Sequence, residues 1–300
     1  MDDRVHRDVL VMRELVVLSG KGGTGKTSLT ASFAFLSGRA VMADTDVDGS
    51  NLPLLFDVSV RRRESFYSGE IACVTDDLCV GCGRCESVCR FGAVHREGDR
   101  PRPKYKVDPL ACEGCGFCYE VCPSKAVKLQ ERLTGEWFEF ETRAGPLVHA
   151  RLAPSGENSG KLVGLVKREA RRIAKERNLD LVLVDGPPGI GCPVIASLGG
   201  VSGALFVAEP TVSGLHDFER AANLTAHFGI GSMICVNRWD LNPSLTERLE
   251  ERARSLDVHP VGRVRYDRSV TQAQREGRSV VERESPAAAD IRNLWKNLEL

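Results

Sequence analysis

Short apolar runs alternate with amphipathic stretches along most of the chain, and this alternation predicts an α/β protein. Apolar runs bounded by polar or turn residues are typical of strands buried on both faces, and here they occupy residues 15–18, 40–43, 179–184, 203–208, 232–236 and 258–264. Apolar residues at helical spacing predict helices at 27–36, 162–177, 215–228 and 243–256. The order indicates a mostly parallel sheet with helices on both faces.

The alternation stops near residue 61 and resumes near residue 134. The intervening segment is dense in Cys, Gly and Pro and has few long periodic stretches. We therefore predict an α/β domain whose first part is 1–61, a small inserted α+β domain at 62–133, and the second part of the α/β domain at 134–300. Residues 1–11 precede Met12 and are predicted to be an extension of the first part.

Charge and composition narrow the functional classes. The 300 residues include 41 basic and 41 acidic side chains, so nothing in the balance favours nucleic acid as a partner. The sequence has no apolar stretch of the roughly 18 residues that a membrane span requires, and it lacks a signal segment. We therefore expect a cytoplasmic protein, in which the 11 cysteines stay reduced and point to metal rather than to disulfides.

A glycine-rich loop follows the first predicted strand and precedes the first predicted helix. Its sequence, from Gly20 to Thr27, has the P-loop pattern G-x4-G-K-T in the context that this motif requires. Glycines let the backbone wrap closely around phosphate oxygens, and the loop amides with the helix N-terminus attract the anion. The sequence therefore predicts an ATP site with Mg²⁺ ligated by the Thr27 hydroxyl and with Lys26 on the β- and γ-phosphates. The nucleotide-binding residues of this loop are Gly22, Gly23, Thr24, Gly25, Lys26, Thr27 and Ser28.

Eight cysteines within the predicted insert form two runs of the pattern C-x2-C-x2-C-x3-C. This spacing is that of a two-cluster bacterial ferredoxin, in which the fourth cysteine of each run ligates the cluster of the other run. The rule predicts two [4Fe-4S] clusters, one held by Cys79, Cys82, Cys85 and Cys122 and the other by Cys112, Cys115, Cys118 and Cys89. Structural zinc is the alternative, although zinc sites usually show two separated C-x2-C pairs.

The lysine at the start of the phosphate loop narrows the family. With Lys21 in place, the loop resembles the deviant Walker A motif of the MinD/ParA/Mrp group of ATPases, which includes the nitrogenase iron protein. The resemblance implies that Lys21 reaches across a dimer to the nucleotide of the other subunit. ATP is then expected to close two subunits on each other, as a homodimer or as a heterodimer with a paralogue.

Further segments match this group in their order along the chain. Asp46 resembles the first-switch acid that orients the attacking water, and Asp48 is a weaker candidate for that role. Asp185 resembles the Walker B acid near Mg²⁺, while Asn237 and Arg238 resemble the position that contacts adenine. The resemblance thus implies catalytic roles for Lys21, Lys26 and Asp46.

The remaining cysteines are Cys73, Cys192 and Cys235. Cys235 lies within a predicted strand, where a free cysteine is commonly a small buried hydrophobe. Cys192 lies seven residues after Asp185, an offset that resembles the ligating cysteine of the nitrogenase iron protein. A third cluster that bridges a dimer is therefore an alternative for Cys192.

Together, the motifs resemble MinD-superfamily ATPases with an inserted two-cluster ferredoxin domain. The leading hypothesis is an ATPase, slow without its partner, that couples nucleotide-driven dimer switching to electron transfer toward a redox partner protein. One alternative is an iron–sulfur scaffold or carrier of the Mrp type. The other is a MinD-like positioning or regulatory switch whose clusters sense redox state or only hold the insert together.

Overall fold

The computed structural model describes residues 12–98, 103–154 and 159–298, which form two compact units. Within this range, the first unit contains residues 12–64, 136–151 and 159–298, and the second contains 65–135 and 152–154. The insert predicted at 62–133 lies in the second unit except for its first three residues. The predicted extension 1–11 lies outside the described residues.

The elements follow one another in an α/β order that three strands and two short helices interrupt. The strands are β1 (Arg13–Ser19), β2 (Ala40–Asp44), β3 (Ser59–Val74), β4 (Val94–Glu97), β5 (Lys104–Val107), β6 (Val127–Thr142), β7 (Gly145–Leu152), β8 (Leu181–Pro188), β9 (Gly203–Ala208), β10 (Ser232–Asn237) and β11 (Val258–Val264). The α-helices are α1 (Lys26–Ser37), α2 (Arg84–Val88), α3 (Phe117–Glu120), α4 (Ser159–Glu176), α5 (Cys192–Leu198), α6 (Val212–His227), α7 (Pro243–Ser255), α8 (Arg268–Arg275) and α9 (Pro286–Asn297).

Nine strands form one sheet in the order β11-β10-β9-β1-β8-β2-β7-β6-β3. Strand β1 lies in the middle, parallel to both β8 and β9, and six of its seven residues are buried, as its unbroken apolar sequence predicts. Strands β2, β7, β10 and β11 also pair in parallel with their neighbours. The prediction of a mostly parallel P-loop sheet with helices is confirmed.

Strands β3, β6 and β7 were not predicted. The part of β3 from Ser59 to Ser65 is exposed, and three consecutive arginines follow Val60, so no apolar alternation marks this edge strand. Strands β6 and β7 are neighbours joined by two residues, Arg143 and Ala144, and so short a connection makes them an antiparallel hairpin. Long strands therefore reach into the segment that the sequence analysis took to be poor in regular structure.

The second unit is small and is built around its cysteines. Strands β4 and β5 form a two-stranded antiparallel sheet, and helices α2 and α3 are each at most five residues long. Its core combines Ala72, Val94, Tyr105 and Val127 with cysteine side chains from both runs. This is the inserted α+β ferredoxin-type domain that the sequence predicts.

The C-terminal helix α9 packs on the core of the first unit. Ile291, Leu294 and Leu298 are buried, and the Trp295 ring lies 5.3 Å from the ring of Phe33 in α1. The apolar stripe predicted from the sequence is therefore an internal packing surface. In the part of the chain that the structure describes, no helix is long and apolar enough to cross a bilayer.

Candidate functional site

The phosphate loop lies between the carboxyl end of β1 and the first turn of α1. Gly23 and Gly25 adopt φ angles of 82° and 97°, a region that disfavours residues with a Cβ. A Cβ at Gly25 would also come within 2.4 Å of the Asn237 amide nitrogen. Glycine at this position thus allows both the turn and the close approach of β10.

Lys26, Thr27 and Asp185 meet at the start of α1. The Thr27 hydroxyl donates to Asp185 Oδ2 at 2.7 Å, and the deeper Thr30 hydroxyl donates to Asp185 Oδ1 at 3.3 Å. Asp185 ends an apolar stretch of β8 and is buried beside the Lys26 charge. This set is what a phosphate-bound Mg²⁺ requires: a hydroxyl ligand, a nearby carboxylate and a lysine for the phosphates.

Three acids gather at the carboxyl ends of β2 and β8. Burial, followed by the charge of Asp185, raises the pKa of Asp44, and burial also raises the pKa of Asp185. Asp46 is half buried, and burial raises its pKa although Lys26 opposes the rise. Asp48 is exposed. The structure therefore brings Asp46, rather than Asp48, into the electrostatic surroundings of Lys26.

A cavity of about 450 Å³ adjoins the phosphate loop. The loop contributes Gly23, Gly25, Lys26, Thr27 and Ser28 to its walls, and β10 contributes Asn237 and Arg238, so these predicted residues converge on one space. The far wall, which the sequence analysis missed, is formed by Val264, Arg265, Tyr266 and Asp267 after β11 and by Val270, Thr271 and Gln274 of α8. The available signal was their place after a parallel strand, at the sheet edge where ligands of open α/β sheets bind.

Asn237 and Arg238 are bound to their surroundings by their own side chains. Asn237 donates to the Thr24 carbonyl at 2.8 Å, so the loop and the end of β10 are directly joined. Arg238 donates to Glu209 Oε1 at 2.5 Å and adopts a φ of 56°. Glu209 is a partner that the sequence analysis did not identify.

Lys21 points to the loop that follows β9. Its Nζ donates to Ser213 Oγ at 3.2 Å and to Thr211 Oγ1 at 3.4 Å, and it lies 3.9 Å from Glu209 Oε2. A Cβ at the preceding Gly20 would overlap Asp217 of α6, which explains the glycine there. Lys21 therefore rests on the residues that begin α6 and is only partly exposed.

The cysteine runs line two cavities of the second unit. One cavity is lined by Cys79, Cys82, Cys85 and Cys122 and the other by Cys89, Cys112, Cys115 and Cys118. Each cavity thus takes three cysteines from one run and the fourth from the other. Among the described residues, no group of three or more His, Cys, Asp or Glu is arranged to hold a single metal ion. Four sulfurs around the walls of a cavity fit a multi-iron cluster better than one zinc ion.

Glycines shape both cysteine loops. Gly81, Gly83, Gly114 and Gly116 all have φ between 63° and 77°, and each stands beside a cysteine of the loops. A Cβ at Gly114 would lie 2.2 Å from the Glu70 carbonyl oxygen. The tight wrap of the backbone around each cavity therefore depends on these glycines.

Thiols in the cavities influence each other. Burial, followed in part by the nearby Cys79 and Cys82, raises the pKa of Cys85 to about 11, and burial with Cys112 and Cys115 raises the pKa of Cys118. Crowded, buried thiols of this kind ionise when a cation neutralises them, so the donor set fits a cluster that carries iron.

The three other cysteines lie outside both cavities. Cys235 is fully buried in β10, as predicted, and Cys73 is half buried in β3. Cys192 is the first residue of α5 and is exposed.

Comparison with known proteins identifies the two parts. Residues 78–126 match the family model of the 4Fe-4S dicluster domain. Over 236 residues the chain is 35% identical to the uncharacterized protein MJ0578 of Methanocaldococcus jannaschii, covering 77% of this chain and 80% of that protein. It is also 24% identical to MJ0579 of the same organism over 235 residues, 77% of this chain and 82% of that one.

Solved structures show the same fold. The septum site-determining protein MinD of Pyrococcus horikoshii OT3, complexed with Mg-ADP, matches with a TM-score of 0.57 at 17% identity over 96% of both chains. A ParA family ATPase from Chlorobium tepidum TLS matches with a TM-score of 0.53 at 17% identity over 97% of this chain and 100% of that one. The chain therefore has the MinD/ParA fold, with a 4Fe-4S dicluster domain inserted, as the sequence analysis predicted.

Proposed function

This chain belongs to the family of the Methanocaldococcus jannaschii protein MJ0578, and we propose that it is an ATPase that couples nucleotide-driven dimer switching to electron transfer through two [4Fe-4S] clusters. The observation that carries the proposal is the presence of two complete sites in one chain. One site joins Lys26, Thr27 and Asp185 beside a large cavity, and the other pairs two four-cysteine cavities. We place this work in the cytoplasm, where thiols stay available for iron.

The nucleotide side follows from the contacts at the P-loop. Lys26 and the loop amides bind the phosphates, and the cavity walled by Asn237 and Tyr266 receives the base. Asp46 orients the attacking water, since it shares its electrostatic surroundings with Lys26 and Asp185. Its raised pKa supports this role, because a partly desolvated carboxylate accepts a hydrogen bond or a proton more readily than an exposed one.

Magnesium is expected at the Thr27 hydroxyl, with Asp185 behind it. The Thr27 proton is already used in the bond to Asp185, so the oxygen lone pairs are free for a cation. When bound, Mg²⁺ neutralises the charge that develops on the phosphate oxygens.

Lys21 is proposed to act in a dimer. In the single chain its ammonium rests on Thr211, Ser213 and Glu209, and ATP binding by a second subunit is expected to draw it across the interface. The second subunit is either an identical chain or a paralogue. Two relatives in one organism, both covering 77% of this chain, support the second option.

Electron transfer is proposed for the clusters because their ligands are only partly enclosed. In each cavity one cysteine is exposed, Cys82 in the first and Cys115 in the second, while Cys85 and Cys112 are buried. A bound [4Fe-4S] cluster takes up and releases one electron at a time. Partial exposure shortens the path to a redox partner protein, and the buried ligands retain the cluster.

The same exposure favours a second candidate, an iron–sulfur carrier of the Mrp type, because release of a cluster also needs accessible ligands. Transfer of iron to an apo-acceptor in the presence of a chelator distinguishes this function, since an electron carrier keeps its iron. A third candidate, a MinD-like regulatory switch, requires ATP-dependent dimers with no change in electron transfer.

Coupling is tested with anaerobically purified protein reduced by dithionite. The rate at which it reduces oxidised methyl viologen, and the potentials of its clusters, are measured with ATP, with ADP and without nucleotide. We expect ATP to change the rate several-fold in the wild type and not in Lys26→Ala. Equal rates and potentials in all three states contradict coupling and leave the carrier and the regulatory switch.

A further inference from the structure

The first-switch segment, residues 45–51, is tied at its two ends by one carboxylate. Asp44 Oδ1 accepts the Asp46 amide at 3.2 Å, and Asp44 Oδ2 accepts the Leu52 amide at 3.2 Å and the Ser50 hydroxyl. Within the loop, the Gly49 amide donates to the Asp46 carbonyl at 3.1 Å. The path of the segment that carries Asp46 therefore depends on the position of Asp44 and Ser50.

His149 supports this arrangement from the neighbouring strand. It lies opposite Asp44 in the parallel pairing of β2 with β7, and its Nδ1 is 2.5 Å from Ser50 Oγ. Burial, followed by the charge of Arg151, lowers the pKa of His149 to about 4, so the ring is neutral. Since the Ser50 proton goes to Asp44, the neutral ring donates its Nδ1 proton to Ser50.

The His149 ring is itself fixed by aromatic packing. It stacks with Phe138 at 5.5 Å and with Phe140 at 5.7 Å, both from β6, at interplanar angles of 25° and 21°. Stacked rings and a hydrogen bond leave the imidazole with one orientation. The hairpin of β6 and β7 thus presents a rigid hydrogen-bond donor to the end of the first switch.

A second side chain of the same hairpin holds the chain just beyond the switch. Arg143, in the turn between β6 and β7, donates to the Leu55 carbonyl at 3.0 Å and pairs with Glu282. Its guanidinium lies 5.2 Å from the Phe35 ring and 5.5 Å from the Phe56 ring. Contacts at Ser50 and at Leu55 together bracket the segment that follows Asp46.

We propose that His149 and Ser50 are positioning residues of the hydrolysis site, which hold the first switch so that Asp46 stays beside Lys26 and Asp185. The inference rests on the proposed ATPase function and names the device that regulates its switch. Strand β6 begins at Val127, five residues after Cys122, so the hairpin is the segment by which the chain leaves the cysteine runs.

The test uses Ser50→Ala and His149→Phe, because phenylalanine keeps the stack with Phe138 and Phe140 but has no Nδ1. ATPase rates are measured on the holo protein with its clusters, and amide hydrogen exchange is measured on peptides that cover residues 45–55. We expect kcat to fall about tenfold with KM changed less than twofold, and exchange of that peptide to rise about tenfold. The double variant is expected to be no worse than either single one, because both break the same chain of hydrogen bonds.

Two further variants separate positioning from general packing. His149→Asn keeps a donor near the Nδ1 position and is expected to recover kcat to within about threefold of the wild type. His227→Phe, an exposed histidine on α6 that contacts Phe228, is the matched control and should leave kcat and exchange unchanged.

The exchange result stands apart from catalysis. Wild-type exchange of residues 45–55 in both Ser50→Ala and His149→Phe overturns the inference, whatever the ATPase rates are. A wild type that hydrolyses no ATP contradicts the proposed function, while faster exchange in the two variants still supports the positioning of the segment by His149 and Ser50. Additive losses in the double variant also contradict the inference, because they require two independent effects.

Discussion

The hydroxyl of Thr27 donates a 2.7 Å hydrogen bond to the carboxylate of Asp185. These residues are separated by 158 positions in the chain and meet because β1 and β8 are neighbouring parallel strands whose carboxyl ends lie together. The bond orients the hydroxyl oxygen and leaves its lone pairs for a cation. The joint position of the two side chains makes the cation site testable by removing one oxygen.

Thr27→Val replaces the hydroxyl with a methyl group of similar size. We expect the Mg²⁺ concentration that supports half-maximal ATP hydrolysis to rise roughly tenfold or more, because a ligand and an orienting bond are both lost. A magnesium titration of the ATPase rate measures this. Thr30→Val is the matched control, since Thr30 also contacts Asp185 but donates mainly to the Lys26 carbonyl inside α1. An unchanged magnesium dependence in Thr27→Val would place the cation elsewhere.

Lys21→Ala removes the ammonium that rests on Thr211 and Ser213. We expect it to bind ATP as a monomer but to dimerise more weakly by roughly 30-fold or more, because a charged contact across the interface is lost. Light scattering after size exclusion, with a non-hydrolysable ATP analogue, measures the dimer. Lys175→Ala, which removes an exposed lysine of α4, should dimerise like the wild type. Normal dimers of Lys21→Ala would remove the support for a cross-subunit lysine.

The crossed ligand sets predict which cysteines act together. Cys89→Ser and Cys115→Ser are each expected to lose one cluster, and the double variant should still keep about four iron atoms per chain, since both line the same cavity. Cys85→Ser combined with Cys115→Ser removes a ligand from each cavity and should lose nearly all iron.

Iron analysis and electron paramagnetic resonance of the reduced proteins measure these outcomes. Cys73→Ser is the control, because Cys73 lines neither cavity, and it should keep the full iron content. Cys192→Ala should also keep it, and a loss of iron there would instead favour the cluster that bridges a dimer. Loss of all iron from the Cys89→Ser, Cys115→Ser pair would contradict the crossed assignment.

The buried His149 predicts a pH-dependent stability. Its folded pKa of about 4 lies below the unfolded value of about 6.5, so the unfolded state takes up a proton first as pH falls. The stability is present above pH 6.5 and is lost progressively toward pH 4. From pH 7 to pH 5 the loss attributable to His149 is roughly 2 kcal/mol.

Urea unfolding at the two pH values, in wild type and in His149→Phe, isolates this contribution. Asp44 and Arg151 face the same ring and remain in both proteins, so their effects largely cancel in the difference. We expect the variant to lose about 2 kcal/mol less than the wild type over this pH range. Equal losses would show that the ring is already charged or solvated in the folded protein.

The sequence predicted what local motifs and strand order determine. The P-loop, both cysteine runs and the residues at the ends of β2, β8 and β10 were found because each motif carries its function in its own spacing or place. Glu209, Tyr266 and His149 were missed, because their roles depend on which strands become neighbours. The edge strand β3 was missed since its exposed arginines hide the apolar period on which strand prediction depends.

The hydrogen bond from Asn237 to the Thr24 carbonyl has a consequence for mutagenesis of nucleotide selectivity. A substitution at Asn237 alters the wall beside the base and, at the same time, releases a carbonyl of the phosphate loop. A variant that prefers another nucleotide therefore reports on both ends of the ligand at once. Inorganic triphosphate, which has no base, separates them: a change in its affinity measures how far the loop itself has moved.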